Sequence, residues 1–117
     1  MKNSISWQIP LETISEANTS EHWTKKHKRH KHQKSVIAWQ FMTEKPDISL
    51  PCKVRLTRIS PRSLDDDNLR MAFKWIRDAI ADNLIPGKAA GRADDDKRIF
   101  WEYAQEKGPK GIKVDLL

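Results

Sequence analysis

Residues 65–87 read DDDNLRMAFKWIRDAIADNLIPG, and the fold follows from how this stretch starts, repeats and stops. Leu69, Ala72, Phe73, Ile76, Ala79, Ile80 and Leu84 recur at three- and four-residue intervals, the spacing of one continuous apolar helix face. The aspartates at its start suit the positive end of a helix dipole and offer a capping carboxylate. Pro86-Gly87 stops it. A helix with one apolar side needs a sheet to pack on, and strands are predicted on both flanks.

Upstream, Cys52 to Ile59 alternates, with Val54 and Leu56 facing one way and Lys53, Arg55 and Thr57 the other, as in a half-buried strand. Pro46 to Pro51 is a connection. From Glu21 to Thr43 there is no Pro or Gly, and the composition favours helix. Its second half carries Val36, Ile37, Gln40 and Phe41 as a docking stripe, while its first half is almost wholly charged. Leu11 to Ser20 reads as irregular, and Ser4 to Ile9 as a first strand ending at Pro10. Downstream, Lys88 to Ala93 is a small-residue loop leading into Asp94-Asp95-Asp96. Ile99 to Gln105 is a third strand, Gly108-Pro109 a turn, and Ile112, Val114 and Leu116 mark a fourth. The last two strands are expected to form an antiparallel hairpin. The order β-α-β-α-β-β predicts a single α/β (α+β) domain spanning residues 1–117, with one mixed four-stranded sheet and two helices packed on it.

The chain has 117 residues, enough for one core and no second one. A deep cavity is not expected at this size, so a site should be a shallow surface cluster or a groove completed by a second subunit. The formal net charge is +6, and most of it sits in one place. Between Glu21 and Lys34 lie Lys25, Lys26, Lys28, Arg29, Lys31 and Lys34 against Glu21 alone. Such a concentrated patch is a footprint for a polyanion, nucleic acid being the usual one. Cys52 is the single cysteine, which excludes an internal disulfide and any multi-cysteine zinc site. No segment reads as a signal peptide or approaches the roughly 18 apolar residues of a membrane span, so the cytoplasm is the expected compartment.

Two acidic clusters carry the chemistry. Asp65-Asp66-Asp67 lies where a strand passes into a helix, and Asp94-Asp95-Asp96 just before a strand. If both strands share a sheet, their ends can meet. Carboxylates held close together repel, and a fold that assembles them commonly adds a cation. Hard oxygen ligands suit Mg²⁺ or Mn²⁺, which activate water for phosphodiester cleavage. Capping alone would explain either cluster. Two clusters in one small basic domain favour the metal. Histidines 22, 27, 30 and 32 match no zinc spacing, and among lysines they suit phosphates better. Trp39, Trp75 and Trp101 are expected in the core or an interface. Trp23, beside the basic run, is expected either in the core or stacked on an unpaired base. Met71, Trp75 and Asp78 form a second helix strip that suggests a dimer contact.

Asp65-Asp66-Asp67-Asn68-Leu69 resembles the Asp-x-Asp-Asn-Leu motif of RusA-type Holliday junction resolvases. Trp75-Ile76-Arg77-Asp78-Ala79-Ile80 is similar to the helix that follows it, and Asp95-Asp96-Lys97-Arg98-Ile99 to the paired-Asp element before the next strand. The basic run from Asn18 through Lys34 resembles the family's amino-terminal loop and helix. The likeness covers about Ser4 to Leu116. It implies a homodimeric, Mg²⁺-dependent endonuclease (Mn²⁺ the alternative ion) that nicks branched DNA, a four-way junction above all. It also implies that Asp65, Asp67 and Asp96 bind the metal and serve cleavage, with Asp95 as the alternative third carboxylate. Asn68 would stand beside the metal, and Asp66 and Asp94 would be accessory. Lys25, Lys26, Lys28, Arg29, Lys31 and Lys34 would bind DNA. The family lysine four residues after the second motif Asp is replaced by Met71, so either that catalytic role passes to Lys74, or to Arg70 from among the DNA contacts, or activity is reduced. The rival expectation is a non-catalytic nucleic-acid-binding module in which the aspartates are caps. A weaker third is a nuclease of the same fold acting on flaps, forks or RNA.

Overall fold

The computed structural model describes residues 4–14, 23–87 and 92–117. The elements are β1 (Ile5–Ile9), α1 (Trp23–Glu44), β2 (Cys52–Ile59), α2 (Asp66–Ala72), α3 (Lys74–Leu84), a 3-10 turn (Ala93–Asp95), β3 (Ile99–Glu106) and β4 (Gly111–Leu116). The four strands make one mixed sheet in the order β1-β4-β2-β3. The expected α+β domain with a four-stranded mixed sheet is therefore present. The stretches 15–20, Glu21-His22 and 88–91, to which loop and helix-start expectations were attached, lie outside the described residues.

One face of the sheet carries the core. Trp7, Ile9, Val54, Leu56, Ile99, Ile112, Val114 and Leu116 are buried there against Ile37 of α1, Leu69 of α2, Phe73, and Ile76 and Ile80 of α3. The alternation that predicted β2 and β4 holds except at Thr57, which was expected outward and is buried, and Cys52 is a buried small hydrophobe as its setting suggested. The opposite face carries exposed Gln8, Lys53, Phe100 and Glu102. On that face Arg55 Nε donates to Glu102 Oε2 at 2.9 Å across the β2–β3 pair. The docking stripe of α1 is partly right. Ile37 is fully buried, Val36 and Phe41 pack on the core, and Phe41 meets the Trp7 ring edge-on at 5.1 Å. Buried Gln33 adds an anchor nearer the charged end by donating from Nε2 to the Glu12 carbonyl.

Three expectations are corrected. The β3–β4 hairpin does not form, because β4 pairs with β1 and β2, and β3 pairs only with β2, in parallel. The 107–110 connection instead crosses the end of β2. Ser60 N–H donates to the Glu106 carbonyl, and Gly108 N–H to the Ser60 carbonyl. Gly108 is required there, since a Cβ would lie 2.9 Å from Ile59 Cγ2. The single long helix is two, which raises the helix count from two to three. At Phe73 (φ −96°, ψ 0°) the backbone N–H turns to the Arg70 carbonyl, closing a tight turn before α3 begins. The break keeps the Phe73 ring fully buried. Lastly, the core alternative is removed for Trp39 and Trp23, which are 64% and 70% exposed, while the interface and base-stacking alternatives stay open. Among the described residues no helix is long and apolar enough to cross a membrane.

Candidate nucleic-acid interface and acid-lined groove

The first acidic cluster is open to solvent. Asp65 takes the extended backbone of a capping residue, and its Oδ1 accepts from Asn68 N–H at 2.9 Å. Asp66 and Asp67, in the first turn of α2, are exposed. The second cluster is tied down. Asp96 accepts from Arg98 Nε, Nη2 and backbone N–H, each at 3.0 Å. That fork and the carboxylate charge hold the exposed Arg98 guanidinium above its ordinary pKa. Asp94 is held by Arg77. Arg77 Nη2 donates to its carbonyl at 3.1 Å, and Arg77 Nε lies 3.3 Å from its carboxylate. Trp101 Nε1 donates to the same carbonyl, and Arg77 Nη1 donates to the Tyr103 hydroxyl. The Arg77 guanidinium also stacks 4.7 Å from the Trp101 ring centre.

The two clusters are not brought together. Because β2 and β3 run parallel, with Cys52 opposite Ile99 and Ile59 opposite Glu106, the end of β2 and the start of β3 lie at opposite ends of the sheet. The α2–α3 pair runs back between them. Asp67 lies in the first turn of α2 and Asp78 in α3, on the other side of the Phe73 break. Asp78 is the residue beside Asp94. Among the described residues no group of three or more His, Cys, Asp or Glu side chains is placed to hold a metal ion. Asp65, Asp67 and Asp96 in one chain therefore do not fit a shared divalent cation. One carboxylate is engaged in a cap, one in an arginine fork, and the parallel strands keep them apart.

What the fold does assemble is a groove of about 430 Å³ along α2 and α3. Arg70, Met71, Lys74, Arg77 and Asp78 line its helical side, and Asp94, Asp95 and Tyr103 its other side. The Asp78 carboxyl is pushed above its ordinary pKa, first by burial, then by the charge of Asp94. Asp82 and a hydrogen bond with Asp94 add to the shift, and Lys74 opposes it. Lys74 thus sits beside the paired carboxyls, and Arg70 lines the same groove over the Tyr103 ring.

The basic helix reaches this groove through Trp75. His30 of α1 stacks on the Trp75 ring at 4.2 Å and 28°. Lys34 Nζ lies 5.4 Å from that ring and Lys74 Nζ 5.0 Å. Lys25, Lys28, Lys31 and Lys34 are exposed, while Lys26 and Arg29 are half-buried. Trp23, at the head of α1, meets the edge of the His27 ring at 6.4 Å. The sequence placed Asp78 on an outward strip and Asp94 beside the motif, with a central role for neither. Arg77 and Tyr103 were not foreseen, and His30, expected to suit phosphates, was not foreseen as the ring that stacks on Trp75. Arg77 and Tyr103 meet only through tertiary packing, although Lys74 and Asp78 do stand one turn apart, a legible spacing. Neither a scan against protein-family models nor a search of curated proteins finds a match to this chain.

Proposed function

We propose that this protein is a nuclease that nicks branched DNA, with four-way junctions as substrate and a dimer presenting two matched sites. The observation that supports it best is the Trp75 contact, which makes the basic face of α1 continuous with the acid-lined groove through Lys34 and Lys74. A polyanion drawn to α1 by Lys25, Lys26, Lys28, Arg29, Lys31 and Lys34 is led along one surface toward Arg70 and Lys74. Those two cations are suited to holding a phosphate, and Lys74 to meeting charge on the leaving oxygen. Mg²⁺ or Mn²⁺ is the cofactor proposed with this activity, on the resemblance alone.

The alternative is a nucleic-acid-binding module without catalysis. The lack of a metal-holding carboxylate group among the described residues favours it, as does Met71 in place of a lysine. One experiment separates the two. A synthetic four-way junction and a linear duplex are incubated with Mg²⁺ and native protein, Asp67→Asn, or Lys74→Ala. The nuclease reading expects junction-selective nicking, lost by at least about 100-fold in Lys74→Ala while junction binding holds. Binding without nicking in every sample supports the module instead. In either case, replacing Lys25, Lys26, Lys28 and Arg29 with Gln should flatten the salt dependence of binding. The log–log slope should fall by about 0.9 for each phosphate no longer neutralised.

A further inference from the structure

We propose that the pocket walled by Thr13, Arg58, Ser60 and Lys110 is a separate anion site, shaped for the phosphate group of a phosphate monoester. It shares no lining residue with the groove along α2 and α3, and it stands whether or not the chain cleaves DNA. A volume of about 270 Å³ is bounded by four separate stretches. These are Glu12 to Ile14 after β1, Arg58 to Ser60 at the end of β2, Leu64 before α2, and Lys110-Gly111 at the start of β4.

Arg58 is fixed in place by the protein itself. Its Nε donates to the Thr13 hydroxyl at 3.1 Å, and its Nη1 to the Arg62 carbonyl. A guanidinium has five N–H donors in a rigid fork, so most of those on Arg58 remain to meet a ligand. Burial holds this guanidinium below its ordinary pKa, and the charge of Glu12 only partly opposes the effect. An anion beside it would offset what burial takes from the charged form. Thr13 accepts from Arg58, which leaves its own proton to donate onward. Ser60 is only 7% exposed, and among the described residues its hydroxyl has no hydrogen-bond partner. A hydroxyl in that state costs free energy until a partner reaches it. At the rim, Lys110 Nζ lies 3.2 Å from Glu12 Oε1. Two cations therefore border the pocket against one carboxylate.

The number of donors selects the ligand. A guanidinium, an ammonium and two hydroxyls exceed what the two oxygens of a carboxylate can use, and they suit the three outer oxygens of a phosphate. A phosphodiester within a strand must leave the pocket by two routes, a monoester by one. Walls contributed by four stretches of chain favour the monoester. Glu12 competes with such a ligand for Lys110. Small phosphate compounds and the phosphorylated end of a nucleic-acid strand both present this group.

The test is a titration of inorganic phosphate into the native chain, followed residue by residue in amide NMR spectra. The Ser60 and Gly111 signals should move along one saturating curve, and chloride at equal ionic strength should leave them in place. Arg58→Met keeps the apolar stem and should weaken binding by at least about tenfold, Lys110→Gln by about threefold. Glu12→Gln should tighten it by about threefold, because it removes a like charge and releases Lys110. If Arg58 were only a strut between Thr13 and the 60–65 connection, Glu12→Gln would bring no gain. Should Arg58→Met fail to fold by circular dichroism, the opposite signs of the two rim variants carry the test. An oligonucleotide with and without a 5′-phosphate then identifies the source. A preference for the phosphorylated strand, lost in Lys110→Gln, assigns the site to strand ends, and equal binding of the two strands assigns it to small phosphate compounds. Shifts confined to α1, or rim variants that change affinity in the same direction, would overturn the proposal.

Discussion

At the start of α2 the carboxylates of Asp66 and Asp67 face solvent, whereas in the turn before β3 those of Asp94 and Asp96 are each held by an arginine. The two stretches have the same three residues, and their surroundings account for the difference. The first follows a loop and opens a helix, where one aspartate finds backbone N–H groups to cap and the others find water. The second enters a strand at the level of α3, where Arg77, Trp101 and Tyr103 already converge. An aspartate run thus says little until the neighbours that desolvate or pair it are known.

The comparison is broken most severely at Arg77. Arg77→Ala removes donors to the Asp94 carbonyl and the Tyr103 hydroxyl, an ion pair with Asp94 and the stack on Trp101. A half-buried carboxylate would be left without its cation. The expected loss is about 2–4 kcal/mol, read from the urea midpoint. Arg77→Lys should recover only part of it, since an ammonium cannot reproduce the fork. A loss below about 1 kcal/mol would mean that the Trp101–Asp94 bond holds the turn by itself.

The first cluster should respond less, and unequally. Asp65→Ala removes the bond to Asn68 N–H and should cost about 1 kcal/mol, while Asp65→Asn keeps an acceptor and should cost far less. Asp66→Ala, one residue along and exposed, should stay within about 0.5 kcal/mol of native. Equal losses at Asp65 and Asp66 would show that the helix dipole, and not the cap, is what the cluster serves.

Much of this was legible in the chain, and what was not has identifiable causes. Val54 and Leu56 against Lys53 and Arg55 announced β2, because a period of two survives in any sheet. The apolar spacing from Leu69 to Leu84 announced the helical face, but not its break, since Phe73 is neither glycine nor proline and Leu69, Phe73 and Ile76 keep helical spacing across it. Strand neighbours were the larger loss. A four-residue connection around Gly108-Pro109 reads as a hairpin, and only the insertion of β4 between β1 and β2 shows otherwise. The sense of β3 then decides the distance between the acidic clusters, and alternation carries no information about sense. The sequence named six aspartates that could meet without showing which of them the sheet keeps apart.

The smallest effect, and the one that reads the electrostatics of the second cluster most directly, belongs to Asp78. Its carboxyl is held above its ordinary range by burial and by Asp94, with Asp82 adding to the shift and Lys74 opposing it. Between the ordinary value and the raised one, the folded chain keeps a proton that the unfolded chain has released. Stability therefore falls as pH rises through that interval, and the loss is complete above it. Asp78→Asn removes the titrating group but keeps its size and one acceptor. The variant should melt higher than native protein at neutral pH, by a few degrees at most for a domain of this size. The difference should close near about pH 3, where the native carboxyl is protonated in both states. Thermal melts at the two pH values provide the check. An equal gain at both would assign the effect to packing, and a lower melting temperature at neutral pH would mean that the attraction of Lys74 outweighs the repulsion of Asp94 and Asp82.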